Sequence, residues 1–152
     1  MEKSRLNTHR AINESGLALV KHFEGFSPKI YICPAGLATI GYGHKILAHE
    51  KMLECITHDD AENILKHDLL HAERAVLRYI SAELSDNQFS ALVSFTFNLG
   101  AAALQRSSLR HKLNYGLYQE SANELLKWVY CAGRKTRGLL IRRIEEQKLF
   151  LR

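Results

Sequence analysis

Apolar positions recur at helical spacing over residues 13–24, where Leu17, Leu19, Val20 and Phe23 give one face and Asn13 is a candidate cap. The period then changes. From Lys29 to Gly43 it alternates: Ile30 and Ile32 share one side, and Lys29, Tyr31 and Cys33 the other. On a return strand Ala38, Ile40 and Tyr42 lie opposite Leu37, Thr39 and Gly41, with Pro34, Ala35 and Gly36 as turn chemistry between the runs. This predicts a β-hairpin, and a loop centred on Gly36 would set Cys33 directly opposite Thr39. Residues 45–56 are irregular and read as a link. Thr57 with Asp60 three positions on resembles a capping box, opening a long helix to about Tyr79 with Ala61, Ile64, Leu65, Asp68, Leu69 and Ala72 along one side. Ser85 with Gln88 makes a cleaner box. The helix it opens, Phe89 to Leu99, is apolar nearly all round and belongs in the centre of a core. Gly100, Gly116 and Gly133 separate three shorter helices, and Gly138 precedes a last helix running nearly to Arg152.

These elements predict one α+β, mainly α domain over residues 1–152. A small N-terminal lobe carrying the hairpin (about 13–57) and a larger helical lobe (about 58–152) would enclose a cleft, with the N-terminal helix packing between them. Clefts between lobes are favoured binding sites. A chain of 152 residues is long enough to bury about 68–70% of its unfolded surface.

The chemistry concentrates in HFEGFSPKIYICPAGLATIGYGH. Glu24 ends the first helix, just before Gly25, a residue type that commonly closes helices. A carboxylate there opposes the helix macrodipole by about 0.3–1 kcal/mol when exposed, which favours the protonated form that a general acid needs. Cys33 and Thr39, if directly opposed, would have Cβ atoms about 4.5–5.5 Å apart, close enough to hold a water. An acid facing a held water is the layout of an inverting glycosidase. Taken singly, each residue has a plainer reading: Glu24 as an exposed acid on a fraying turn, Cys33 as a small buried hydrophobe, Thr39 as a strand residue. His44 reads as a structural histidine. Cys55 and Cys131 read as core or half-buried positions.

The order acid, eight residues, Cys, five residues, Thr, then TIGYGH resembles the phage-type lysozymes, the endolysins of glycoside hydrolase family 24. The likeness continues through SDNQFSALVSFTFNLG, SSLRHKLNYG, the W-x4-AG of Trp128–Gly133 and GLLIRRIEE, from about residue 13 to the end and in the family's order. The resemblance implies a lysozyme-like fold and a muramidase that cuts the β-1,4 bond between N-acetylmuramic acid and N-acetylglucosamine without a cofactor. It makes Glu24 the catalytic acid and gives Cys33 and Thr39 the attacking water. Asn98 lines the cleft as a substrate-binding amide, with Lys45 a further cleft candidate and Arg142 or Arg143 a partner for Glu24. Many family members have Asp where this chain has Cys33. A thiol that orients water and a thiolate that attacks the sugar are both open at that position. An inert wall-binding module and a lytic transglycosylase are the alternatives for the whole chain.

Composition narrows the partners. With 46% apolar and 24% charged residues the chain is an ordinary globule, and no 18-residue apolar run predicts a membrane span. The N-terminal MEKSRLNTHRAINESG is polar and lacks a signal core. Three cysteines without an export signal argue for reduced thiols in a cytosolic product. The resemblance then implies release through a separately made holin, followed by action on the cell wall. The formal charge of +5 favours anionic partners. Bacterial peptidoglycan fits this better than nucleic acid, for which no stacking, zinc or RNA-binding signature accompanies the charge. His67 and His71 are four apart, but HExxH is absent, so no metal is expected. The chain is expected to be a monomer.

Overall fold

The computed structural model describes residues 10–51 and 54–152. Most of the polar N-terminal stretch, residues 1–9, lies outside the described residues, as do positions 52 and 53 of the irregular link. In chain order the elements are α1 (Glu14–Glu24), β1 (Ser27–Ile32), β2 (Ala38–Gly41), β3 (His44–Lys45), α2 (His58–Tyr79), α3 (Asp86–Leu99), α4 (Ala101–Arg106), α5 (Ser108–Asn114), α6 (Tyr118–Leu125), β4 (Tyr130–Cys131), β5 (Arg134–Lys135) and α7 (Arg137–Leu151). The architecture is α+β and mainly helical. Val20–Leu70 form one compact unit; the described residues up to Leu19 together with His71–Arg152 form the other.

Local chemistry sets the helix starts. Asn13 Oδ1 accepts from Gly16 N–H at 2.9 Å and caps α1. Thr57 and Asp60 exchange backbone-to-side-chain bonds of 3.1 Å each, so the shorter Asp completes the box that opens α2. Ser85 and Gln88 do the same for α3. In the helical unit α3 is buried continuously from Phe89 to Thr96 and packs chiefly against α7, whose own buried positions include Arg142, Arg143 and Glu146. The hairpin unit has a smaller core of Ile40, Ile56 and Ala61, with Phe26, Tyr42, Ile46 and Ile64 around it. Phe26 also stacks on His58 at 3.8 Å between ring centroids.

Three expectations are corrected. Gly133 does not separate helices but turns a two-stranded hairpin, in which Tyr130 pairs with Lys135 and Cys131 with Arg134. Gly138 lies within the first turn of α7, which Thr136 caps by accepting from Leu139 N–H. Cys55 and Cys131 are exposed, because Cys55 forms an isolated edge bridge with Lys29 and Cys131 sits beside the β4–β5 turn.

That turn carries an unusual residue. Ala132 and Gly133 have φ of 50° and 77°, the pair of positive values that a two-residue type I′ hairpin demands. An L-residue with a Cβ at the first position costs about 1–2 kcal/mol, which Asn largely avoids. Ala132→Asn is therefore expected to stabilise the protein by about 0.5–1 kcal/mol, raising the thermal midpoint by up to about 4 °C. A lowered midpoint would contradict the turn assignment.

Candidate active site

The site residues of the hairpin unit are placed by one turn. Gly36 N–H donates to Cys33 O at 2.8 Å and Cys33 N–H to Leu37 O at 3.0 Å. Pro34 and Ala35 are thus the centre of a β-turn, and Gly36, at φ 80°, supplies the left-handed residue that follows it. This three-residue loop pairs Tyr31 with Thr39 and Ile32 with Ala38. Cys33 therefore faces Leu37, not Thr39 as a Gly36-centred loop would have it. The pairing centre moves by one residue and each partner by two, so the face is unchanged. Cys33 and Thr39 remain on the same face as diagonal neighbours, near enough for the Thr39 hydroxyl to act on the thiol. Both are buried.

Thr39 also pairs with Lys45 on β3, so Tyr31, Thr39 and Lys45 form a row across the three strands. Thr39 Oγ1 donates to Leu37 O at 2.9 Å. The Cys33 thiol is held below its ordinary value, chiefly by the backbone N–H of Leu37. Burial opposes the shift, while Thr39, the Ala35 N–H and the Lys45 ammonium add to it. The Thr39 hydroxyl has one proton, so toward a neutral thiol it can act only as an acceptor while it serves Leu37. Turning that proton to the sulfur would stabilise a thiolate.

Glu24, half-buried at the last residue of α1, lines a cavity of about 330 Å³ with Gly25, Phe26, Ser27 and Tyr31. Gly43 comes so near that a Cβ there would sit 3.4 Å from Glu24 Oε2, and its φ of 83° already favours glycine. The hairpin unit thus sets Cys33, Thr39 and Lys45 on one face of its sheet, and Glu24 lines a cavity with Tyr31 of the same row. Tyr31 and Gly43 are additions to this group; the strand alternation that sets Tyr31 on the face of Cys33 is the available signal. Asn98 belongs to the helical unit, where its Oδ1 accepts from Arg143 Nη2 at 2.6 Å. Its amide nitrogen is left as the donor.

His44 follows the row and has a supporting role. Nδ1 lies 2.7 Å from Asp68 Oδ2, and Nε2 lies 3.0 Å from Glu50 Oε2. Burial alone would push the imidazole down, but Asp68 and Glu50 together outweigh it and raise it. A raised folded value means the stabilisation is complete below the unfolded value of about 6.5 and is lost as pH rises through the folded one. His44→Gln is expected to cost about 1–3 kcal/mol at about pH 5.5 and clearly less at about pH 9, measured by urea unfolding. Equal losses at both would show that charge is not what His44 contributes.

The fold is shared with known lysozymes. A point mutant of P22 lysozyme superposes with a TM-score of 0.86 at 33% identity, over 95% of this chain and 100% of that one. An endolysin of Acyrthosiphon pisum secondary endosymbiont phage 1 is 38% identical over 144 residues, covering 91% of this chain and 97% of the relative. An endolysin of Bacillus phage B103 is 37% identical over 142 residues, and there the chain spans only 54% of the relative's length. The sequence profile described as Phage lysozyme matches residues 21–146. The chain belongs to the phage lysozyme family, and its activity class is that of an endolysin-type lysozyme.

Proposed function

We propose that this lysozyme hydrolyses the β-1,4 bond between N-acetylmuramic acid and N-acetylglucosamine in peptidoglycan and thereby lyses the host bacterium. The observation that carries the reading is the placement of Glu24 on a cavity of the same unit that sets Cys33 and Thr39 on one strand face. Glu24 protonates the glycosidic oxygen as the bond breaks. Cys33 and Thr39 orient the water that attacks the anomeric carbon, and the proton leaving that water passes to the Cys33 thiolate, which becomes the thiol. A thiol held below its ordinary value, with a hydroxyl that can turn toward it, supports the base role. Lys45 and the Asn98 amide nitrogen bind substrate. In this reading the chain acts as a monomer and is retained in the cytoplasm until a separately made holin admits it to the wall, both resting on the family resemblance. Among the described residues no helix is long and apolar enough to cross a membrane.

The test is digestion of purified peptidoglycan with mass spectrometry of the products. Reducing muramic ends support hydrolysis, anhydro ends mean a transglycosylase, and binding without cleavage means an inert wall-binding module. Cys33→Asp is expected to stay active and to lose the rise in rate that ionisation of the lowered thiol imposes with increasing pH. Complete loss of activity would favour a sulfur that attacks the sugar itself, with retention in place of inversion.

A further inference from the structure

The helical unit has a cavity of about 400 Å³ whose residues have no part in the chemistry above. Its size is within the roughly 300–1,000 Å³ of ligand pockets. It is built on the side of α5 turned away from the core: Leu109 and Leu113 are buried, while Ser108, His111 and Tyr115 recur at three- and four-residue spacing on the outer side. Arg106 at the end of α4, Ser107, Lys112 and Leu117 beyond α5 complete the walls.

Two features need an explanation that packing does not give. Tyr115 is 79% exposed, with its ring 6.1 Å from that of His111. Arg106 and His111 have no anionic partner among the described residues, although neighbouring cations do: Lys112 is held 2.5 Å from Glu124, and Lys127 2.8 Å from the same oxygen. Arg110 is used up on the carbonyls of Tyr79 and Gln105. The cavity therefore presents an unneutralised guanidinium and an imidazole beside one open aromatic face and the Ser108 hydroxyl. A guanidinium fits a carboxylate bidentately. An open tyrosine ring offers an apolar face with a polar tip to a flat ligand edge, which a bare inorganic anion would leave unused.

We propose that this cavity binds the carboxylate-bearing sugar–peptide of the bacterial wall, an N-acetylmuramyl peptide, with the carboxylate on Arg106 and the sugar ring against Tyr115. The inference rests on the wall-lytic reading and names a further contact with the same polymer. A neutral sugar would leave the cation unused, and inorganic phosphate would leave the ring unused.

The test is an NMR titration of the Glu24→Gln protein, in which binding is read without cleavage, using N-acetylmuramyl-L-alanyl-D-isoglutamine. Shift changes are expected at Arg106, His111 and Tyr115. Affinity should fall at least about tenfold when the ligand's carboxylate is esterified, and by a similar factor in Arg106→Ala and in Tyr115→Ala. Both substituted residues are exposed, so both variants should fold. Shifts confined to other residues, equal affinity for the free and esterified ligand, or equally tight binding of inorganic phosphate would each overturn the proposal. Digestion of the wall by the wild-type chain is scored separately. Cleavage without binding at this cavity refutes the cavity and leaves the muramidase reading standing, and binding here without cleavage does the reverse.

Discussion

Glu24→Gln is expected to fold as the wild type does and to lose wall digestion by about 10²–10⁴-fold, the usual range for removing a general acid. Glutamine keeps the length and planarity of the side chain, so the close approach of Gly43 is preserved. What it removes is an ionisable proton next to a cavity that can admit a glycosidic oxygen. Water attack without protonation of the leaving group would have to expel an alkoxide, which is why one substitution of the same shape can cost so much. The comparison requires two readouts on the same preparation: product release from purified peptidoglycan, and a thermal melt that shows an unchanged fold. Retained digestion with an intact melt would take Glu24 out of the mechanism and direct the search to other acids of the chain.

How far the chain can be read from its sequence depends on how local each signal is. Asn13, Thr57–Asp60 and Ser85–Gln88 are legible because a cap is a contact between residues three apart, set by side-chain length and hydroxyl or carboxylate chemistry. Strand alternation places Cys33 and Thr39 on one face, since that needs only the period of two. Their pairing is not legible. It turns on whether Gly36 is the centre of the loop or the left-handed residue after a Pro34–Ala35 turn, and composition is the same in both cases. The β4–β5 hairpin escapes because two-residue strands have no period and Ala132 is a poor turn signal. Cys55 and Cys131 are expected inside on the general burial of free cysteine, which edge position overrides. Of the site itself, the chain offers the candidate side chains. The cavity beside Glu24 and the hydrogen bonds around the Cys33 sulfur depend on packing that no spacing encodes.

The least legible feature is the charge inside α7. Arg142 and Arg143 stand in a charge-rich segment of the sequence, yet Arg143 and Glu146 are fully buried and Arg142 is 4% exposed. A helix that buries charged residues has no apolar stripe to announce its inner face. Glu146 Oε1 accepts from Ser94 Oγ at 2.8 Å, Arg143 Nη2 at 3.1 Å and Arg142 Nε at 3.3 Å. Its Oε2 lies 2.9 Å from Arg143 Nε, and the Arg143 guanidinium lies 5.3 Å from the centroid of the Phe95 ring. Burial pushes the Glu146 carboxyl up, while Arg143, Arg142 and Ser94 hold it back.

Glu146→Ala is therefore expected to cost about 3–5 kcal/mol in urea unfolding, because it strands a buried guanidinium and leaves the Ser94 hydroxyl without its acceptor. Arg143 Nη1 already has no hydrogen-bond partner among the described residues, so little is available to take up the loss. Exchanging the pair as a whole should be much milder. Glu146→Leu combined with Arg143→Met removes the two fully buried charges and leaves Arg142 its bonds to the Ser94 carbonyl and hydroxyl, and buried ion pairs replaced by apolar groups of similar volume are often neutral. A coupling energy of about 1–3 kcal/mol between the two positions would express that difference. The double variant also releases Asn98, whose Oδ1 is fixed by Arg143. If Asn98 binds sugar through its amide nitrogen, stability should recover in the double variant while KM for soluble wall fragments rises. A single Glu146→Ala that costs less than about 1 kcal/mol would mean that the arginines find other anions or water, and that the cluster does not hold α7 against α3.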